Sequence, residues 1–169
     1  MATTTVNYGT WAAMTVTNLQ SLANDATDPF GGWQSARVDN QTSAKANDYE
    51  VVVKLTTAAT AAANDKAAYV YIVPWVYDGS AWNPGANFGT TTEPTGSEGT
   101  CSITEPNSMI MAAVLPYKDT SQILRGFFTV AGVCQVCPDG WSLAIRNCSG
   151  AALSTSCVVG YRPIKYDIA

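Results

Sequence analysis

Apolar residues recurring at every second position, in short runs cut by turn residues, limit what this chain can fold into. Residues 49–55 carry the pattern most cleanly. Tyr49, Val51, Val53 and Leu55 share one side of an extended chain, and Glu50, Val52 and Lys54 share the other. Residues 141–146 repeat it, with Trp141, Leu143 and Ile145 on one side and Ser142, Ala144 and Arg146 on the other. Residues 127–153 organise the chain: a strand runs in, Pro138-Asp139-Gly140 turns it, a second strand runs out, and Asn147-Cys148-Ser149-Gly150 turns the chain again.

Further runs are expected as strands at 33–38, 109–115, 122–130 and 158–168. Residues 69–77 are apolar on both faces, and Pro74, which cannot donate to a ladder, predicts an edge position or a bulge there. Asp78-Gly79 marks a hairpin turn with Trp82 opening the return. The segment 40–48 reads as a polar loop, 57–66 as an Ala-rich loop or single helical stretch, and 84–100 as a long surface loop. Roughly seven to nine strands with no amphipathic helix predict an all-β fold, an antiparallel β-sandwich of jelly-roll-like form. Residues 1–12 are expected as an extended N-terminal arm and 13–169 as a single β-sandwich domain.

Composition narrows the function. Charged residues make up 13% of the chain, against about 25% in ordinary soluble domains. A polar, weakly charged surface suits permanent packing on another protein, because few charges leave water, and it also suits a secreted-type β domain. The net charge is −4 and the 9 basic residues are scattered, which argues against nucleic acid as a partner. No run of 18 apolar residues is present, so no membrane-spanning helix is expected. The first residues lack a basic start and apolar run, so synthesis in a cytoplasm without export is expected.

The chain has no His, which removes the commonest general base and metal ligand and weighs against an enzyme. Cys134 and Cys137 form a C-x-x-C pair, followed at wider spacing by Cys148 and Cys157, with Cys101 upstream. A zinc ribbon needs a second tight pair. Thiol, disulfide and metal-ligand states stay open for these five residues, with idle thiols the default and no cofactor expected. Asp25, Asp28, Asp39, Asp48, Glu93, Glu98, Glu105 and Asp139 could supply calcium ligands or a glycosidase pair, but solvated turn residues are the ordinary reading. Trp33, Trp75, Tyr77 and Trp82 could stack on a sugar, but core or subunit contact is the ordinary reading.

An ordered set of segments resembles a known family. Ser21-Leu22-Ala23-Asn24 is followed by Trp33-Gln34-Ser35-Ala36-Arg37-Val38-Asp39-Asn40, then by the strand at 49–55. The hairpin from Val70-Tyr71-Ile72-Val73 through Asp78-Gly79-Ser80-Ala81-Trp82 comes next. Phe128-Thr129-Val130-Ala131, Pro138-Asp139-Gly140-Trp141, Ser149-Gly150-Ala151-Ala152-Leu153 and Gly160-Tyr161 close the set. Together they resemble tailed-bacteriophage capsid cement or decoration proteins. The four cysteines from Cys134 on and the loop at 84–100 depart from that pattern.

The resemblance implies a jelly-roll-like virion structural protein, not an enzyme, that binds the outer surface of the major capsid shell and stabilises it. Its partners would be the major capsid protein and itself, as a homo-dimer or homo-trimer, and it would reside on the capsid exterior. The strand at 69–77 is the expected self-association surface. Tyr8, Trp11, Trp75, Tyr77 and Trp82 are the expected partner-binding residues. The alternative is a low-copy head-fibre or tail component with a glycan-binding face.

Overall fold

A computed structural model of the chain describes residues 3–24, 30–58, 66–89, 93–104, 108–117 and 121–168. Its strands are β1 (Thr4–Tyr8), β2 (Ala12–Ala13), β3 (Phe30–Gln34), β4 (Val38–Asp39), β5 (Asp48–Thr56), β6 (Lys66–Tyr77), β7 (Trp82–Pro84), β8 (Gly99–Ile103), β9 (Ile110–Tyr117), β10 (Ile123–Thr129), β11 (Gly140–Cys148) and β12 (Val158–Ile168). One helical turn, α1 (Val130–Cys134), precedes β11, and a wide π-type turn spans Asn40–Ala44. Two antiparallel sheets pack face to face, the all-β sandwich that the alternation predicts.

The five-stranded sheet runs β1-β12-β5-β10, with β2 beside β12. The seven-stranded sheet runs β7-β6-β11-β3-β8, with β9 beside β6 and β4 beside β11. The chain changes sheet at β2–β3, β4–β5, β5–β6, β9–β10, β10–β11 and β11–β12. Between the sheets lies one continuous core. Val51, Val53 and Leu55 from β5, Trp141, Leu143 and Ile145 from β11, and Val70 and Ile72 from β6 are all buried within it. These are the residues that the period of two assigns to one side of each strand.

Several expectations are corrected. The two strands expected over 127–153 are present, but a helical turn and a change of sheet lie between them. β10 ends at Thr129, whose hydroxyl accepts from Gly132 N at 3.1 Å and starts α1, and the chain crosses to the other sheet before β11 begins. Residues 40–48 are not merely a polar loop. Asn40 is buried, and its side chain bonds Ala46 N at 2.6 Å and the Tyr49 hydroxyl at 2.9 Å. Within the stretch 1–12, Thr4–Tyr8 is extended and pairs with β12 along its length. Of the Ala-rich stretch at 57–66, residues 59–65 lie outside the described residues. Lys66 already belongs to β6.

Pro74 illustrates why local chemistry is read correctly only in its topological setting. β6 is an interior strand, paired with β11 from Ala67 to Trp75. On its other side β9 pairs as far as Ile72 and β7 begins at Trp75. Pro74 falls in the gap between these two partners, so its missing N–H leaves no ladder bond unmade. Its carbonyl, on that same side, accepts from Gly85 N at 2.7 Å.

The loop expected at the surface over 84–100 has a different role. Ala86 and Phe88 are buried, and with Ile103 and Met109 they cover Tyr71, Val73, Trp75 and Ala144 on the outer face of the seven-stranded sheet. This roof explains why 69–77 is apolar on both faces: one face meets the main core and the other meets the loop. The strand is therefore enclosed within the protomer and, apart from exposed Val76, offers no free apolar face to a second copy.

Candidate interaction face

The outer faces of the two sheets differ. The seven-stranded sheet is roofed in part by its own chain, over Tyr71, Val73, Trp75 and Ala144, with Met111 and Val114 of β9 left exposed, whereas among the described residues no element covers the outer face of the five-stranded sheet. Cross-strand register builds that second face in rows, because residues directly opposite in an antiparallel pair project to the same side. The middle row runs from Phe127 on β10 through Val52 on β5 and Gly160 on β12 to Ala13 on β2. The next row holds Arg125, Lys54 and Val158. The row on the other side holds Thr129, Glu50 and Arg162.

The middle row is apolar and open. Phe127 is 64% exposed, more than most large apolar side chains of the molecule, and Trp11 and Val158, which flank the row, are also exposed. Gly160 leaves a gap in the row, and Trp11, Ala13, Val52 and Val158 border a hollow of about 340 Å³ above it. A Cβ at Gly160 would meet Ala12 O at 3.4 Å and the Trp11 ring at 3.9 Å, which is ordinary contact. The hollow thus exists because the side chain is missing, not because the backbone there demands glycine.

The five expected partner-binding residues fall into two groups on different sheets. Tyr8 and Trp11 border the face just described. The Arg162 guanidinium lies 4.4 Å from the Tyr8 ring centroid and 5.0 Å from that of Trp11, and it pairs with Glu50. Glu50 and Arg162 therefore neutralise one another while fixing both rings at the rim.

Trp75, Tyr77 and Trp82 belong to the β6–β7 hairpin of the other sheet. Trp75 is 2% exposed, and its indole N–H donates to Ser142 Oγ at 2.9 Å, so its place is inside the roofed layer. Tyr77 and Trp82 pack with centroids 5.0 Å apart, and Arg37 covers the Trp82 ring at 4.3 Å. Trp33 is buried in the main core and donates its N–H to Glu98 at 2.7 Å.

No protein-family model and no curated protein sequence matches this chain. The functional reading therefore rests on the residues themselves.

The carboxylates with described surroundings are engaged in holding the backbone. Asp39 accepts from Gln41 N and Thr42 N. Asp48 accepts from Tyr49 N and Ala131 N, each at 2.7 Å, and so ties β5 to α1. Asp139 accepts from Tyr77 N at 3.1 Å. Burial alone would raise the Glu98 pKa, but bonds from Trp33 and Asn18 outweigh it and hold the group below the usual carboxylate range. Glu93 is exposed, and Asp25, Asp28 and Glu105 lie outside the described residues.

No two of the five cysteines are joined in a disulfide. Among the described residues no three His, Cys, Asp or Glu side chains converge as a metal site requires. Burial pushes the Cys134 thiol up to about 11 and the Cys137 thiol up to about 12, with nearby Asp48 adding to both. A neutral thiol is a poor nucleophile and a poor ligand at pH 7.

Sequence reasoning missed Phe127, Val52, Val158, Lys54 and Arg125 as members of a surface. The signal was present in β10, where Leu124, Gly126 and Phe128 alternate with Ile123, Arg125 and Phe127. What the sequence lacks is the register that sets Phe127 beside Val52 and both beside the gap at Gly160.

Proposed function

We propose that this chain is a virion structural protein of the capsid cement class, which binds the outer surface of a major capsid shell and stabilises it. The observation that carries the reading is the uncovered apolar row on the five-stranded sheet, set on a weakly charged molecule whose other outer sheet face is partly roofed by its own chain. A rigid face built on strands holds its contact residues at fixed spacing, which suits docking on a repeating protein surface. The ordered resemblance of segments to phage decoration proteins supports the same reading. Stabilisation follows from mass action, since a protein that binds the assembled shell and not its separated subunits shifts the equilibrium toward the shell.

Calibrated mass spectrometry of purified virions, comparing this chain with the major capsid protein, tests the proposal. A near-integer ratio at hundreds of copies per particle is expected. A handful of copies or none would overturn the cement reading and favour a head-fibre or tail component, to be followed by glycan-binding assays on variants of Tyr77 and Trp82.

A further inference from the structure

The row beside the hollow has a feature that folding alone does not account for. Arg125 and Lys54 are direct cross-strand partners, so both side chains project from the outer face. Like charges placed opposite one another in an antiparallel pair weaken it. Neither makes an ion pair among the described residues, where the salt bridge is between Arg162 and Glu50. In the row beyond Val52, Glu50 and Arg162 cancel, so the rows around the hollow are locally cationic on a chain of net charge −4. Such a local excess of positive charge attracts an anionic group to this face.

Next to this charge pair lies the hollow over Gly160, about 340 Å³ in volume, with apolar walls formed by Trp11, Val52 and Val158. It has room for one large apolar side chain. Resting on the shell-binding reading above, we propose that the face receives a surface segment of a partner protein with two features. One is an apolar side chain, which enters the hollow over Gly160. The other is a neighbouring carboxylate, which lies between Lys54 and Arg125. Burying the apolar side chain supplies the attraction, and the carboxylate relieves the repulsion between the two cations and fixes which segment fits.

The test uses the intact chain and three variants. Gly160→Val fills the hollow with a side chain suited to a strand. Lys54→Glu combined with Arg125→Glu reverses the charge. Met111→Ser changes an exposed apolar residue of the other sheet and serves as the control. Circular dichroism and thermal melts establish that each is folded.

The first probe is anilinonaphthalene sulfonate, an apolar ring system bearing one anionic group. The wild type and the control should show one saturable site, weakened about tenfold or more by Gly160→Val and by the charge reversal, and weakened by salt. Absence of a saturable site, or one that neither variant affects, overturns the inference without reference to any shell. Concentration-dependent dimerisation of the wild type that Gly160→Val abolishes gives the face to a second copy and also overturns it.

The second probe is purified shells free of this chain. Wild-type binding that both variants lose supports the inference. Wild-type binding that both variants retain overturns it while leaving the cement reading intact. Failure of the wild type to bind shells overturns the cement reading, and the dye site is then judged on its own result.

Discussion

At the residue scale, buried polar side chains do the work that backbone ladders cannot. Asn40 accepts from Ala46 N and the Tyr49 hydroxyl, and it donates to Ala46 O at 3.1 Å and Pro138 O at 3.3 Å. It therefore locks the wide turn at Asn40–Ala44 to β5 and to the turn before β11. Asn147 does the same at the far end of β11, donating to Leu22 O at 3.2 Å and Ala151 O at 2.8 Å. Ser35 bridges the break between β3 and β4, where its hydroxyl accepts from Leu143 N at 2.9 Å. Asn40→Ala leaves a buried amide and a buried phenol without their partner. Such loss costs on the order of 2–3 kcal/mol, to be read as a lowered midpoint with unchanged slope in urea unfolding. A change below about 0.5 kcal/mol would mean that water replaces the side chain and that Asn40 is not the anchor described.

At the element scale, the segment between β7 and β9 is the least expected part of the fold. It is polar on average, yet Phe88 is fully buried within it and closes the roof over Tyr71, Val73 and Trp75. Hydrogen bonds fasten the segment around that ring. Thr104 N donates to Phe88 O at 2.7 Å, and Ser108 Oγ donates to Asn87 O at 2.6 Å. Phe88→Ala is expected to destabilise the fold by about 3–5 kcal/mol, the usual range for an aromatic removed from a core. Amide hydrogen exchange separates this role from a general effect. Protection should fall first in β8 and in the segment itself, while β5 and β12 keep theirs until global unfolding. Equal loss in both sheets would show that the roof and the main core form one cooperative unit. β6 itself reads correctly as an apolar strand from its sequence. Its neighbours on both faces are what the local pattern leaves undetermined, because a strand that is apolar on both sides specifies burial without naming the cover.

At the scale of the whole molecule, the thiols make stability depend on pH in the alkaline range. Burial raises Cys101 to about 12, Cys134 to about 11 and Cys137 to about 12, from an ordinary value of 9.0. A folded-state pKa above the unfolded one means that the unfolded chain loses its protons first. The stabilisation is fully present below pH 9 and is lost as pH rises from there through 11 to 12. Urea midpoints should therefore hold level up to about pH 9 and fall beyond it, while the native thiols react slowly with a maleimide at pH 7. Rapid labelling of all five in the native state would contradict the burial described here.

The division between what was legible and what was not follows range of interaction. Alternation along 49–55 and 141–146 is a property of neighbouring residues, and it alone identifies strands, their inward sides and an all-β sandwich. The cross-strand meeting of Phe127, Val52 and Gly160, the pairing of Lys54 opposite Arg125, the roof of Phe88 and the separation of Trp11 from Trp75 involve residues far apart in the chain. Only the tertiary structure decides them, because the pairing of strands is chosen by the packing of both sheets at once and not by any one strand's own pattern.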